Sequence, residues 1–366
     1  MRLITLWMAF LLLFSIAIAE ETPVTLYEAP LQVTLTFTGD CTLGNTPLLR
    51  GRPAGFENHV EENGIEYPFA NVAELFAQDD LTIINLEGTF HDSEEGVAKG
   101  KTYTFRSPTA YAQMLPQASV EVCYLGNNHV YDYGEPGYLS TTKALEENGI
   151  RWFGSTEFGN ETFIYEKGNA KIGFVSIYIS HWWQDGMGNE MKETVRRLKE
   201  EEGCQVVIAC IHGGVEYDKR HDKNQEKMAD AFIRYGADLV VGNHPHVIQG
   251  LRVENGRTTL WSLGNFVFGG NKEVKSIRTY IARFTLSFDE NGTYLGHQLN
   301  IIPAHMSGSK EKNNYQPILI QDEKEAGKIL EAIQYDVKKL KLKPWQPGIG
   351  ALQEFVPAPA PQTLAK

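Results

Sequence analysis

The chain has 366 residues, of which 42% are hydrophobic and 22% charged, a balance that excludes a fibrous or wholly disordered protein. Its 46 acidic side chains against 34 basic ones give a formal charge of −12. With no basic stripe in view, the sequence argues against a nucleic-acid or anionic-membrane binder, and an anionic ligand must be held locally, by metal or by a few placed cations.

Residues 1–19 begin with Arg2, continue as an apolar run and end in Ala17-Ile18-Ala19 before Glu20-Glu21. A small-x-small ending of this kind reads as a cleavable secretory signal, with an uncleaved membrane anchor as the alternative. Export, to the cell surface or beyond, follows from either reading. Residues 20–30 read as a linker. After it, 31–38 alternate as a half-buried strand and 42–63 read as a long loop rich in Gly, Pro and polar residues. A helix is expected from Tyr67-Pro68 to Gln78, a strand over 81–86, a helix over 108–114 and a strand over 120–125. A helix over 138–148 closes at Gly149 and is followed by an apolar strand over 171–179.

Met191, Val195 and Leu198 fall at i, i+4, i+7, placing one apolar stripe on a charged helix that stops at Gly203. A buried strand over 205–211, a helix carrying Met228, Phe232 and Tyr235, and a strand over 239–241 complete an alternating α/β portion. Beyond it, 247–253, 258–263, 279–288 and 294–302 read as antiparallel strands joined by Asn-Gly turns such as Asn255-Gly256 and Asn291-Gly292. Asp322 caps a helix striped by Ala326, Leu330, Ile333, Val337 and Leu340. Residues 304–343 thus form a C-terminal helical segment, and the Pro-rich 344–366 an extended or disordered tail. The four cysteines, Cys41, Cys123, Cys204 and Cys210, form no C-x-x-C pair, so a zinc ribbon or thioredoxin motif is unsupported.

Chemistry concentrates where strands end. His244-Pro245-His246 closes an apolar strand, and the two imidazoles share a face if the chain stays extended, which Pro245 favours. Other strands end in Gly39-Asp40, Asn85-Leu86-Glu87, Asn127-Asn128-His129 and His212-Gly213-Gly214-Val215-Glu216. Packing alone gives no reason to gather Asp, Glu, Asn and His at strand ends, so these segments point to one site.

In this order, and with Asp132-Tyr133-Gly134, Gly236-Ala237-Asp238 and Ser262-Leu263-Gly264-Asn265-Phe266, the sequence resembles the CapA-type poly-γ-glutamate capsule family of calcineurin-like metallophosphoesterases. The resemblance implies an α/β fold: a sandwich of two mixed β-sheets flanked by helices, spanning 31–303, with metal at the strand ends. Composition and periodicity equally allow a plain doubly wound sheet. Carried over by motif, Asp40 binds one divalent ion, Glu87 bridges, Asn128, His212 and His244 serve a second ion, and His246 completes the first. One or two ions are implied, and mixed oxygen and nitrogen donors do not choose among Mn, Fe and Zn.

His129 takes the catalytic position near the substrate, with Asp132 as its orienting partner. Thr42 and Glu87 depart from the phosphoesterase pattern, which carries His and Asp there. Arg106, with Lys101 nearby, is the candidate substrate cation, and Asn265 a candidate site amide. Glu216 is either a partner that orients His212 or an exposed acid. Trp182-Trp183 is either an exposed aromatic shelf or buried packing. The expected activity is metal-dependent hydrolysis of an anionic polymer or phosphoester, in company with membrane-bound capsule synthesis proteins. The alternative is a non-catalytic factor that binds poly-γ-glutamate for assembly or export.

Overall fold

A computed structural model describes residues 29–157, 159–271, 273–336 and 340–360. The expected signal segment 1–19 and nearly all of the 20–30 linker lie outside the described residues, as does Val337 of the C-terminal stripe. Among the described residues, no helix is long and apolar enough to cross a membrane.

Two mixed sheets face one another. The first is built on the strand Leu31–Thr42, which pairs in parallel with Leu81–Leu86 and antiparallel with Arg278–Phe288. Val122–Tyr124 extends it in parallel on one side and Tyr294–His305 antiparallel on the other. The second sheet runs in parallel through Ala170–Tyr178, Val206–His212, Leu239–Asn243 and Arg257–Leu260, with Phe163–Lys167 antiparallel at one edge. One strand belongs to both: Arg151–Thr156 pairs with Val122–Tyr124 through its first half and reaches Ala170–Tyr178 through Ser155.

The apolar residues explain the layering. Val33, Leu35 and Phe37 alternate along the first strand and are fully buried against Ile172, Phe174, Ile208 and Val241 of the facing sheet. The first sheet's outer face, with Ile84, Leu86 and Cys123, packs on Phe56, Phe76, Leu115 and Leu145. The second sheet's outer face, with Val207, Ala209 and Val240, is covered by Met191, Val195, Met228 and Phe232 from the helices Met187–Arg196 and Lys223–Tyr235. Because the inner sheet faces pack on each other instead of on helices, the plain doubly wound alternative is ruled out in favour of the sandwich.

Several expectations change. The 42–63 stretch holds a helix, Phe56–Asn63, whose Phe56 and Val60 are buried one turn apart and whose first N–H is bound by the Asn45 side chain at 2.7 Å. Its polar composition hides an eight-residue helix anchored by two apolar groups. The strand expected from 247 begins at Leu251, and Arg151–Thr156 and Phe163–Lys167 are strands the apolar pattern did not announce. The later portion is not wholly antiparallel, since Asn265–Phe268 pairs in parallel with the first strand, placing Asp40 opposite Asn265. In the Pro-rich segment, Ala351–Leu352 and Val356–Pro357 add antiparallel to Tyr294–His305; residues 361–366 lie outside the described residues.

The helix Lys223–Tyr235 has a full capping box between Asp222 and Gln225 and ends on Gly236 in the left-handed region. The Gln225 amide then donates to Gln249 at 3.0 Å, and Gln249 binds the carbonyls of Asp218 and Arg220. A local helix signal thereby fixes the loop that follows His212.

Candidate metal centre

All the parallel strands of both sheets deliver their carboxyl ends to one edge, where α/β folds place their sites. Asp40 lies near the end of Leu31–Thr42, Glu87 just past Leu81–Leu86, and Asn128 and His129 past Val122–Tyr124. His212 ends Val206–His212, and His244 follows Leu239–Asn243. Glu87, His212 and His244 offer donor atoms within 4.8 Å of one another, and so do Asp40, Glu87 and His246, with Glu87 common to the two groups and every member buried. The Asn128 oxygen stands 2.8 Å from His212 Nε2 and so joins the first group.

The histidines of His244-Pro245-His246 do not converge through an extended chain. His244 has φ 104° and His246 φ 58°, so both depart from the backbone that L residues prefer. Strain of this sort persists where the surroundings fix it. Here the His244 N–H meets Asp40 at 3.3 Å, and His246 Nδ1 is 2.8 Å from the Asn265 oxygen and 3.1 Å from Asp40 Oδ2.

Whether the residues fit a cation can be judged from Glu87. Its side chain has no solvent exposure and neither carboxylate oxygen has a hydrogen-bond partner. Leaving a buried carboxylate unpaired is costly, so the position suits a bridging ligand between two positive ions. Burial, reinforced by Asp40, drives its carboxyl well above the usual range. Burial, with His244 alongside, holds His212 well below the ordinary imidazole range, and burial together with His246 brings His244 down to about 4. Both are then neutral, the state that donates a lone pair to metal. Burial also disfavours a charged His246, but Glu87 and Asp40 outweigh it and push that imidazole up to about 9.

Beside this group, His129 Nδ1 donates to Asp132 Oδ2 at 2.7 Å, and its Nε2 is 3.8 Å from Glu87. Asp132 also accepts from the Phe105 N–H at 2.6 Å and from Lys101, whose ammonium donates to the Asn128 carbonyl as well. The Phe105 ring packs on His129 with centroids 4.2 Å apart.

Other residues fall differently. Arg106 does not reach the ligand group; its guanidinium donates to the His91 carbonyl at 2.7 Å and to Glu94 at 3.0 Å. Asn265 contacts His246, the position of a ligand-orienting amide. Glu216 is exposed, and the partner at His212 Nδ1 is Asn85, at 3.1 Å. Asn85 also donates to Asp40 at 2.7 Å and accepts from Asn127 at 3.0 Å. Asn85 and Asn127 stand inside these motifs, and an amide following the apolar Ile83-Ile84 in the strand Leu81–Leu86 is the signal that could have marked Asn85. Thr42 Oγ1 is buried without a partner, two residues from Asp40. Trp182 is buried against Phe232 and Tyr235, whereas Trp183 is 52% exposed. All four cysteines are buried and free.

The chain is 27% identical over 304 residues to the capsule biosynthesis protein CapA of Bacillus anthracis, covering 77% of this chain and 69% of that protein. It is 25% identical over 281 residues to the PGA biosynthesis protein CapA of Bacillus subtilis, covering 71% and 70%. A phosphatase structure from Mycoplasma pneumoniae aligns over 78% of this chain and 96% of its own at 17% identity, with a TM-score of 0.45. The family described as bacterial capsule synthesis protein PGA_cap matches residues 34–270, and the chain belongs to that family.

Proposed function

We propose that this chain is an exported, metal-dependent hydrolase that acts on poly-γ-glutamate or a related anionic envelope polymer during capsule metabolism. One observation carries the reading: a buried carboxylate, Glu87, free of hydrogen bonds and shared by two donor groups, beside an imidazole held by a carboxylate. Asp40, Glu87 and His246 would hold one divalent ion, and Glu87, Asn128, His212 and His244 the other. Such ions, of the Mn, Fe or Zn class, supply water activation and charge stabilisation at the oxygen that develops negative charge.

The chain's own groups do the rest. Asp132 fixes the Nδ1–H tautomer of His129, which leaves Nε2 facing the Glu87 side of the site; burial holds the ring below the ordinary imidazole range against the pull of Asp132, so a proton taken up there would pass readily to a leaving amine or alkoxide. Lys101 and the Phe105 N–H hold Asp132 in place, and the Phe105 ring limits water at His129. Phe105 thus serves both ends of the dyad. Residues 1–19 support export, and relatives named for capsule synthesis support work alongside membrane-bound synthesis proteins.

The test pairs metal content with turnover. Purified protein should carry stoichiometric metal that Glu87→Ala removes, and should cleave γ-glutamyl peptides or a member of a phosphoester panel. His129→Gln should abolish cleavage while the metal stays bound. Metal content indifferent to Glu87→Ala refutes the site. Polymer binding without cleavage in wild type and His129→Gln alike replaces the enzyme with a non-catalytic assembly or export factor.

A further inference from the structure

A chain of formal charge −12 repels a polyanion at long range, so a carboxylate-rich substrate needs cations placed at the site itself. Arg50 and Arg106 converge on a single acceptor, Oε1 of Glu94. Arg50 Nη1 and Arg106 Nη2 both donate to it, the latter at 3.0 Å. Both cations are held by the chain around them. Arg50 Nη2 donates to the Tyr133 hydroxyl at 3.0 Å, and Arg106 Nη1 to the His91 carbonyl at 2.7 Å. The Arg106 guanidinium also lies 5.8 Å over the Tyr133 ring. Their side chains are 21% and 13% exposed, and the Nε atom of each is buried without a partner. Glu94, by contrast, is 58% exposed.

Short stretches of backbone link the pair to the candidate metal centre. Arg106 follows Phe105, which packs on His129, and Tyr133 follows Asp132, the partner of His129. Arg106 and Asn45 exchange backbone hydrogen bonds at 3.2 and 3.3 Å, tying the pair to the segment that leaves Asp40. Two preorganised guanidiniums holding one carboxylate form a recognised carboxylate receptor. In this structure, the receptor is filled by a carboxylate from the chain's own exposed loop.

We propose that Arg50, Arg106 and Tyr133 form a subsite for a free α-carboxylate of a γ-glutamyl substrate beside the metal centre, and that Glu94 is an internal placeholder which substrate displaces. The assignment rests on the polymer reading above and names the group of the substrate that is read. A carboxylate is the expected ligand because a carboxylate already satisfies the pair. Binding costs the release of Glu94, so the subsite discriminates against ligands that offer no anion to take its place.

The test measures binding with divalent metal removed by chelation, so it is read without turnover. The probes are a synthetic γ-glutamyl pentamer, the same pentamer with its α-carboxylates converted to carboxamides, and inorganic phosphate. Glu94→Gln should tighten binding of the acid pentamer by about fivefold or more and leave the amide pentamer unchanged, the loss of one competing charge-assisted contact. Arg106→Gln and, independently, Arg50→Gln should each weaken the acid pentamer by about tenfold and leave the amide form alone. Thermal melts of each variant verify folding, and the Glu94→Gln result stands even if one arginine variant does not fold.

Equal affinity for the acid and amide pentamers in wild type and Glu94→Gln overturns the subsite. So does weaker binding in Glu94→Gln, the absence of pentamer binding in every variant, or phosphate binding that Glu94→Gln enhances while the pentamer is ignored. Because cleavage is not read, the predicted pattern in a protein that hydrolyses nothing would keep the subsite and discard the hydrolase. Cleavage without the pattern would do the reverse.

Discussion

The two halves of the candidate metal centre are unequal. The half around His212 draws its imidazoles from the second sheet and receives an amide from Asn128 of the first, so it offers three donors besides the shared Glu87. The half around Asp40 offers Asp40 and His246, and the strand position two residues on holds Thr42 with an unpartnered hydroxyl. Burial holds the imidazoles of the first half low, whereas Glu87 and Asp40 raise that of the second. The difference teaches that two sites sharing a ligand need not share an affinity: donor number and charge set each one separately.

The largest expected effect removes the comparison altogether. Glu87→Ala takes a ligand from both halves and should lower affinity for each ion by more than about 100-fold, beyond the 10–100-fold range of outer-shell changes. Elemental analysis after dialysis checks it, and retention of one tightly bound ion would show that Glu87 serves a single half. Next, Asn85→Leu should cost about 10–100-fold at both halves, since Asn85 touches His212 on one side and Asp40 on the other. Metal-competition titration reads the two losses separately; a loss confined to one half would break the link between them.

An acid limit outside both halves bounds the conditions for such measurements. His297 is buried between the Thr258 and Tyr294 hydroxyls, and burial brings its imidazole down to about 3. The unfolded chain takes up a proton near pH 6.5 that the folded chain refuses. Stability from this group is therefore complete above pH 6.5 and falls toward about 3, by about 1.4 kcal/mol per pH unit. Melting of metal-free protein from pH 7 to pH 5 should show the slope together with those of His212 and His244, and His297→Gln should make the total shallower by its own share. The smallest effect sharpens the asymmetry: Thr42→Val, nearly isosteric, should weaken only the Asp40 half, by a few-fold or about 1 kcal/mol. Equal binding curves for wild type and Thr42→Val would remove the hydroxyl from the site.

What the sequence made legible was the set of strand ends. Apolar runs closing on Asp40, Glu87, Asn128, His212 and His244 carry their meaning locally, because a run of buried residues that stops on polar ones reads the same in any sheet. What it hid depended on partners distant in the chain. The orienting role of Asn85 exists only once Leu81–Leu86 lies beside Leu31–Thr42 and His212 arrives from the opposite sheet. For the same reason the sequence left Glu216 open as a partner of His212 or an exposed acid, and it is in solvent. The backbone at His244 and His246 ran against a local rule, since Pro245 favours extension and tertiary contacts to Asp40 and Asn265 override it. Phe56–Asn63 went unseen because two buried residues are too few to show a period.

The strand held in common by both sheets has a consequence for spacing. Gly154 sits midway along it at φ 155°, and a side chain there would stand 2.7 Å from the Gly126 nitrogen, in the segment that leads to Asn127 and Asn128. This glycine acts as a gauge for the gap across which donors from opposite walls must meet. A methyl group at that point would shift the wall bearing Asn128 relative to the one bearing His212, detuning the coordination sphere without replacing a single ligand.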